Sequence, residues 1–147
     1  MQKRERLTKE IEMKNEYYKK IVAKSIIYYE NNYLPPQFME HTTEESVIDC
    51  SGYFYAYAVK LIQSNFHKKR DVAEQSLLRL LNTTKESITM SVKSTIYSNY
   101  NELYFSLLDN FKNGLDYGEE SMEGFKIMLD SSAKIIACSL YWLENNE

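Results

Sequence analysis

Only four glycines and two prolines interrupt this chain of 147 residues. Strands joined by tight hairpins need turn residues at short intervals, so a chain this poor in them is expected to be helical. Apolar spacing agrees. Ile11, Tyr18, Ile21, Val22, Ile26 and Tyr29 recur mainly at helical intervals and predict a helix over 7–32. Its lysines (Lys9, Lys14, Lys19, Lys20, Lys24) alternate with Glu10, Glu12 and Glu16, the pattern of a solvated face. Tyr33-Leu34-Pro35-Pro36 ends that helix, because proline disfavours helical geometry in the residue before it. A linker follows through His41. Thr42 and Glu45 have capping-box spacing, so the next helix is expected over 44–66, with Val47, Cys50, Phe54, Tyr57, Ala58 and Leu61 as its stripe.

His67-Lys68-Lys69-Arg70 is a polar break, and Asp71 is the expected cap of a short helix over 72–82 carrying Val72, Gln75, Leu77, Leu78, Leu80 and Leu81. Asn82-Thr83-Thr84 reads as a junction. A further helix, broken near Ser98-Asn99, carries Ile88, Val92, Ile96, Tyr100, Leu103, Leu107, Leu108 and Phe111. Lys112-Asn113-Gly114 closes it, with Gly114 expected as a left-handed cap. Asp116 or Tyr117 then opens the last helical stretch, holding Met122, Phe125, Ile127, Met128, Leu129, Ile135, Ile136, Leu140 and Trp142. That stretch is apolar on more than one face, as expected of a helix enclosed by others. The expected architecture is all-α: one domain over 1–147, a compact bundle around a central apolar helix, with residues 1–6 flexible. No repeat or low-complexity segment is present.

Composition narrows the function classes. Hydrophobic residues make up 44% and charged residues 27%, which suits a folded domain. A net charge of −3 argues against a nucleic-acid binder, which needs a concentrated basic face. Cys50 and Cys138 are too far apart for a metal motif and fit a reducing compartment. No secretory signal is apparent in MQKRERLTKEIEMKNE, and no run approaches the ~20 apolar residues of a membrane span. No anchor follows YWLENNE, so a cytoplasmic protein is expected. The 13 tyrosines combine apolar area with a polar tip, so part of that surplus suits a recognition surface as well as a core.

Catalytic chemistry has no foothold in the sequence. His41 and His67 both stand beside predicted breaks, and neither has a Cys or carboxylate at ligand spacing. There is no phosphate-cradling glycine loop and no nucleophile elbow. Neither histidine has an arginine four to seven residues before it, as a helical ribonuclease of the Arg-His type would need. Glu119, Glu120 and Glu123 fit charges at a helix N-terminus better than a di-metal site. The expectation is therefore a non-enzymatic binding protein with no cofactor and no metal.

One stretch is specific. Phe111-Lys112-Asn113-Gly114-Leu115-Asp116-Tyr117-Gly118-Glu119 resembles the first homology motif of the Bcl-2 family of apoptosis regulators. Phe111, Asn113, Gly114, Leu115 and Gly118 fit directly, while Asp116 stands for asparagine and Tyr117 for tryptophan. The lead-in, Leu103 to Asn110, is similar to the helix preceding that motif, and Trp142-Leu143-Glu144-Asn145-Asn146 is loosely similar to the family's second motif. With the order of elements included, the resemblance covers about residues 8–145. Two features depart from it. Glu119 replaces the arginine that in the family pairs with an aspartate of the bound helix, and little chain remains after Gly118 for the helices that normally follow.

The resemblance implies a Bcl-2-like bundle whose surface groove sequesters the amphipathic death-motif helix of a pro-apoptotic host protein and blocks cell death. Such grooves hold apolar anchors at helical spacing. The residues implied are Phe54, Tyr57, Leu61, Leu77, Leu81, Leu103, Leu108, Gly114, Tyr117, Gly118 and Glu119. A short, tailless, Tyr/Asn/Lys-rich version is similar to those carried by large DNA viruses, which implies the host-cell cytoplasm. A groove of exposed leucines and tyrosines would also suit a second copy, giving a homodimer. The competing expectation is a helical immunity, antitoxin or phage-encoded inhibitor protein whose acidic charge meets a basic toxin or host enzyme.

Overall fold

Buried side chains three and four residues apart build each helix of the described chain. The structure is a computed structural model that describes residues 44–94, 97, 99–117 and 121–145. The helix expected over 7–32, the Pro35-Pro36 linker and Thr42 of the expected capping box lie outside those residues, as do residues 1–6. Four helices follow in order: α1 Glu44–Phe66, α2 Arg70–Lys93, α3 Tyr100–Tyr117 and α4 Met122–Asn145. Among the described residues there is no strand, and the class is all-α.

Contacts group the chain into two compact units, Met1–Ala56 and Tyr57–Glu147. Of the first, only the opening part of α1 is described. There Cys50, Tyr53, Phe54 and Ala56 are buried, and the Tyr53 and Phe54 rings meet edge-on at 5.6 Å. The second unit holds the rest of α1 and the other helices. Within it α4 packs against both α2 and α3.

α2 corrects the expectation of a junction at Asn82-Thr83-Thr84. The helix runs unbroken from Arg70 to Lys93, on a buried stripe of Ala73, Leu77, Leu81, Thr84 and Ile88. A threonine hydroxyl can cap a new helix or donate back to the preceding turn of the same one. Here Thr83 Oγ1 donates to the Arg79 carbonyl at 3.2 Å and Thr89 Oγ1 to that of Lys85 at 2.9 Å. Asp71 is not the cap. The N-cap is Lys69, without a side-chain capping bond, and Asp71 lies in the first turn, where its charge favours the positive helix end.

α3 starts where the break near Ser98-Asn99 was expected. Asn99 Oδ1 accepts the Glu102 backbone N–H at 2.9 Å, an N-cap bond. The helix then runs through Gly114 to Tyr117, so Gly114 is not a left-handed cap. α4 accordingly begins at Met122 rather than at Asp116 or Tyr117, capped by Ser121 Oγ, which accepts the Gly124 N–H at 2.9 Å.

From Ser131 to Ser139 every residue of α4 except Lys134 is buried. Two of its buried hydroxyls are satisfied within the helix: Ser132 donates to the Met128 carbonyl at 2.7 Å and Ser139 to that of Ile135 at 2.8 Å. Serine and alanine along this run are small enough to allow close approach, and a serine bonded to its own preceding turn buries no unpaired donor.

His67 ends α1 in the left-handed region, with φ of 50°. Glycine occupies that helix-terminating position without the Cβ penalty. His67→Gly is therefore expected to stabilise the protein by about 0.5 kcal/mol, strain relief outweighing the added freedom of the unfolded chain. Urea unfolding checks this, and His67→Val should shift the midpoint the opposite way.

Candidate functional site

The described part of the motif, Phe111 to Tyr117, forms the end of α3. Its residues divide by helical phase. Leu103, Tyr104, Leu107, Leu108, Phe111 and Gly114 form the buried face of α3, while Lys112, Asn113, Asp116 and Tyr117 are exposed and Leu115 is half-buried. Gly118 and Glu119 lie outside the described residues.

Phe111 is fully buried, its ring edge-on to that of Tyr57 at 5.5 Å. The Tyr57 hydroxyl donates to the Met128 Sδ of α4 at 3.2 Å. Gly114 closes the same cluster. A Cβ there would stand 2.7 Å from Met128 Cγ, 2.9 Å from Ile127 Cγ2 and 3.1 Å from the Met128 backbone nitrogen. Glycine is required because two helices cross closely at this point, and not because the chain turns.

The other residues implied as groove walls are interior. Phe54, Tyr57, Leu61, Leu77, Leu81, Leu103 and Leu108 are all buried. Side chains in that position hold helices together and present no contact surface in this conformation. Tyr117 is different: it is 60% exposed, at the end of α3. Thus the motif's Phe111 and Gly114 join Tyr57 and Met128 in the core, and its aromatic residue is displayed apart from them.

At the other end of α3, Tyr100 and Cys138 share a hydrogen bond, and the Trp142 backbone N–H donates to the Tyr100 hydroxyl at 3.0 Å. The Tyr100 ring stacks on Tyr141 at 5.7 Å. Burial pushes the Cys138 thiol up to about 12 and the Tyr100 phenol well above its ordinary range. Both groups stay neutral at physiological pH, the thiol is not a nucleophile, and the cluster serves as packing.

His67 is exposed at the end of α1, and Glu123 is exposed in the first turn of α4. His41, Glu119 and Glu120 lie outside the described residues. Among the described residues no group of His, Cys, Asp and Glu could hold a metal ion, and no helix is long and apolar enough to cross a membrane.

Sequence reasoning missed Met128 as the partner of Gly114, and it missed the exposure of Met122 and Phe66. Met122 stands just inside the Ser121 cap and is 59% exposed there. No protein-family model, characterised protein or solved structure matches this chain, so no likeness assigns these helices a role.

Proposed function

We propose that this protein is an interaction module of the Bcl-2 type, which binds the amphipathic death-motif helix of a pro-apoptotic protein and so restrains cell death. The observation that carries this reading is the division of the motif. Phe111 and Gly114 are buried where α3 meets α4, and Tyr117 stands exposed at the end of the same helix. A recognition motif needs both parts: residues that fix the scaffold, and an aromatic side chain left free to anchor a ligand. The nearly continuous burial of α4 from Ser131 to Ser139 also supports a bundle arranged around that helix.

The buried state of Tyr57, Leu61, Leu77, Leu81, Leu103 and Leu108 narrows where a ligand binds. Contact is expected around Tyr117 and the start of α4, with Glu119 replacing the family's arginine in the pairing with the ligand. A partner presenting a basic or neutral residue opposite Glu119 is favoured over one presenting an aspartate.

The test is titration of the full chain against a panel of labelled death-motif helix peptides, read by fluorescence polarisation. At least one peptide should bind with Kd below ~10 μM, and Tyr117→Ala should weaken it about tenfold or more. Circular dichroism of the variant should be unchanged, since Tyr117 makes little of the core. No binding across the whole panel overturns the proposal and leaves the toxin-inhibitor class in its place.

A further inference from the structure

The close approach that makes residue 114 a glycine also leaves a reactive pair in the chain. Asn113-Gly114 is the one place in the sequence where glycine follows asparagine. An asparagine side chain can react with the backbone nitrogen of the next residue. That nitrogen attacks the amide carbon Cγ and gives up its proton, ammonia leaves, and a five-membered succinimide ring forms. Water then opens the ring at either carbonyl, giving aspartate or isoaspartate. The net change exchanges water for ammonia and needs no oxidant, metal or second protein.

A side chain on the following residue shields the attacking nitrogen, and glycine leaves it bare. Asn65, Asn82, Asn99, Asn101 and Asn110 are instead followed by Phe, Thr, Tyr, Glu and Phe. Packing keeps the shield away at residue 114. A Cβ there would stand 2.7 Å from Met128 Cγ and 3.1 Å from the Met128 backbone nitrogen.

The helix is what holds the reaction off. α3 runs unbroken through both residues to Tyr117, so Asn113 has helical backbone angles and the Gly114 N–H is given to the Asn110 carbonyl. In that geometry the nitrogen does not face the Asn113 amide carbon, and its proton is engaged. Asn113 itself is exposed, so water reaches its side chain. Reaction lacks only a rotation about the Asn113 backbone, which requires the end of α3 to open. Gly114 is one turn from that end, where the last carbonyls have no partner within the helix and opening is local.

We propose that Asn113 is a self-modification site, closed in the folded helix and converted to isoaspartate when the end of α3 opens. The change is one-way. Isoaspartate carries the chain through its side-chain carbon and so adds a backbone atom directly before Gly114. The glycine then loses its register against Met128, and α3 cannot close as before. The stability of one helix end thereby sets how long the protein keeps its native form. The inference does not rest on the ligand reading.

Peptide mapping by mass spectrometry tests it, on the full chain held at body temperature and neutral pH. In urea above the unfolding midpoint, Asn113 should convert faster than any other asparagine, with isoaspartate among the products. In native buffer its rate should be at least about tenfold lower, because only open molecules react. Urea well below the midpoint should raise that rate little, since opening a helix end exposes little surface. Phe111→Ala, which loosens the same end of α3, should raise the native-buffer rate toward the urea value. Asn113→Gln should abolish the reaction, since glutamine would have to close a larger ring. After removal of urea, protein carrying isoaspartate at this position should unfold at a lower urea midpoint than Asn113→Asp protein.

Equal rates in native buffer and in urea overturn the proposal, as does a faster reaction at another asparagine in urea. A native rate that climbs below the midpoint as steeply as global unfolding also overturns it, because the gate would then be the whole domain. So does isoaspartate-bearing protein as stable as Asn113→Asp. If Phe111→Ala does not fold, the urea series decides.

Discussion

Gly114→Ala is expected to lower the unfolding free energy by about 1–2 kcal/mol, although glycine in the middle of a helix is ordinarily the weaker choice. Helix propensity alone favours alanine by ~1 kcal/mol. Packing opposes it. The new methyl would meet the side chains of Met128 and Ile127 at 2.7 and 2.9 Å, and the Met128 backbone nitrogen at 3.1 Å. Side chains can turn away, but the backbone contact yields only if α3 and α4 separate, and overpacking of this kind costs roughly 1–3 kcal/mol. Urea unfolding should show an earlier midpoint at unchanged slope.

The same contact yields a sharper test. Met128→Ala removes the nearest obstacle and costs ~2–5 kcal/mol by itself, since Met128 is fully buried. In that background Gly114→Ala should cost less than in the parent, because the 2.7 Å contact is gone while Ile127 Cγ2 and the backbone nitrogen at position 128 still oppose the methyl. A double-mutant cycle with a coupling of about 1 kcal/mol is the expected result, and simple additivity would contradict close approach as the reason for the glycine. Gly114→Glu, by the same geometry, is a folding mutation and says nothing about binding.

Phe111→Ala should cost ~3–5 kcal/mol, because it empties the volume of a fully buried ring and removes the edge-on contact with Tyr57. Natural domains have only ~5–15 kcal/mol in hand, so the variant should be close to its unfolding transition at body temperature. Tyr117→Ala, six positions along the same helix, should stay within about 0.5 kcal/mol of the parent, as exposed substitutions do. Calorimetry or urea unfolding of the pair measures both. Equal losses would mean that Tyr117 is a packing residue after all.

The helical class could be read from spacing because periodicity is a local property, and the end of α1 at Phe66 falls at the expected bound for the same reason. Positions where one residue type has two uses were the ones misread. A Thr hydroxyl caps a helix or bonds back to the turn before it, and Thr83 and Thr84 look identical in either role. Glycine terminates a helix or lets a neighbour come close, and only Met128, distant in sequence, decides for Gly114. A cap at Gly114 implies a following helix that starts near Asp116, whereas the helix that runs on to Tyr117 moves that start to Met122, behind the Ser121 cap. The groove candidates failed to separate in a comparable way. Apolar spacing marks the face of a helix that avoids water, but it does not say whether another helix or a ligand covers that face. Phe111 and Tyr117 look alike in the motif, and only the helical phase of α3 puts one inside and the other outside.

The measurement that tests the central claim most directly is the affinity of Tyr117→Ala for a death-motif helix peptide, taken with its urea midpoint. The account predicts affinity at least about tenfold weaker and a midpoint matching the parent. An unchanged affinity, or a loss of affinity that follows a loss of stability, would contradict it.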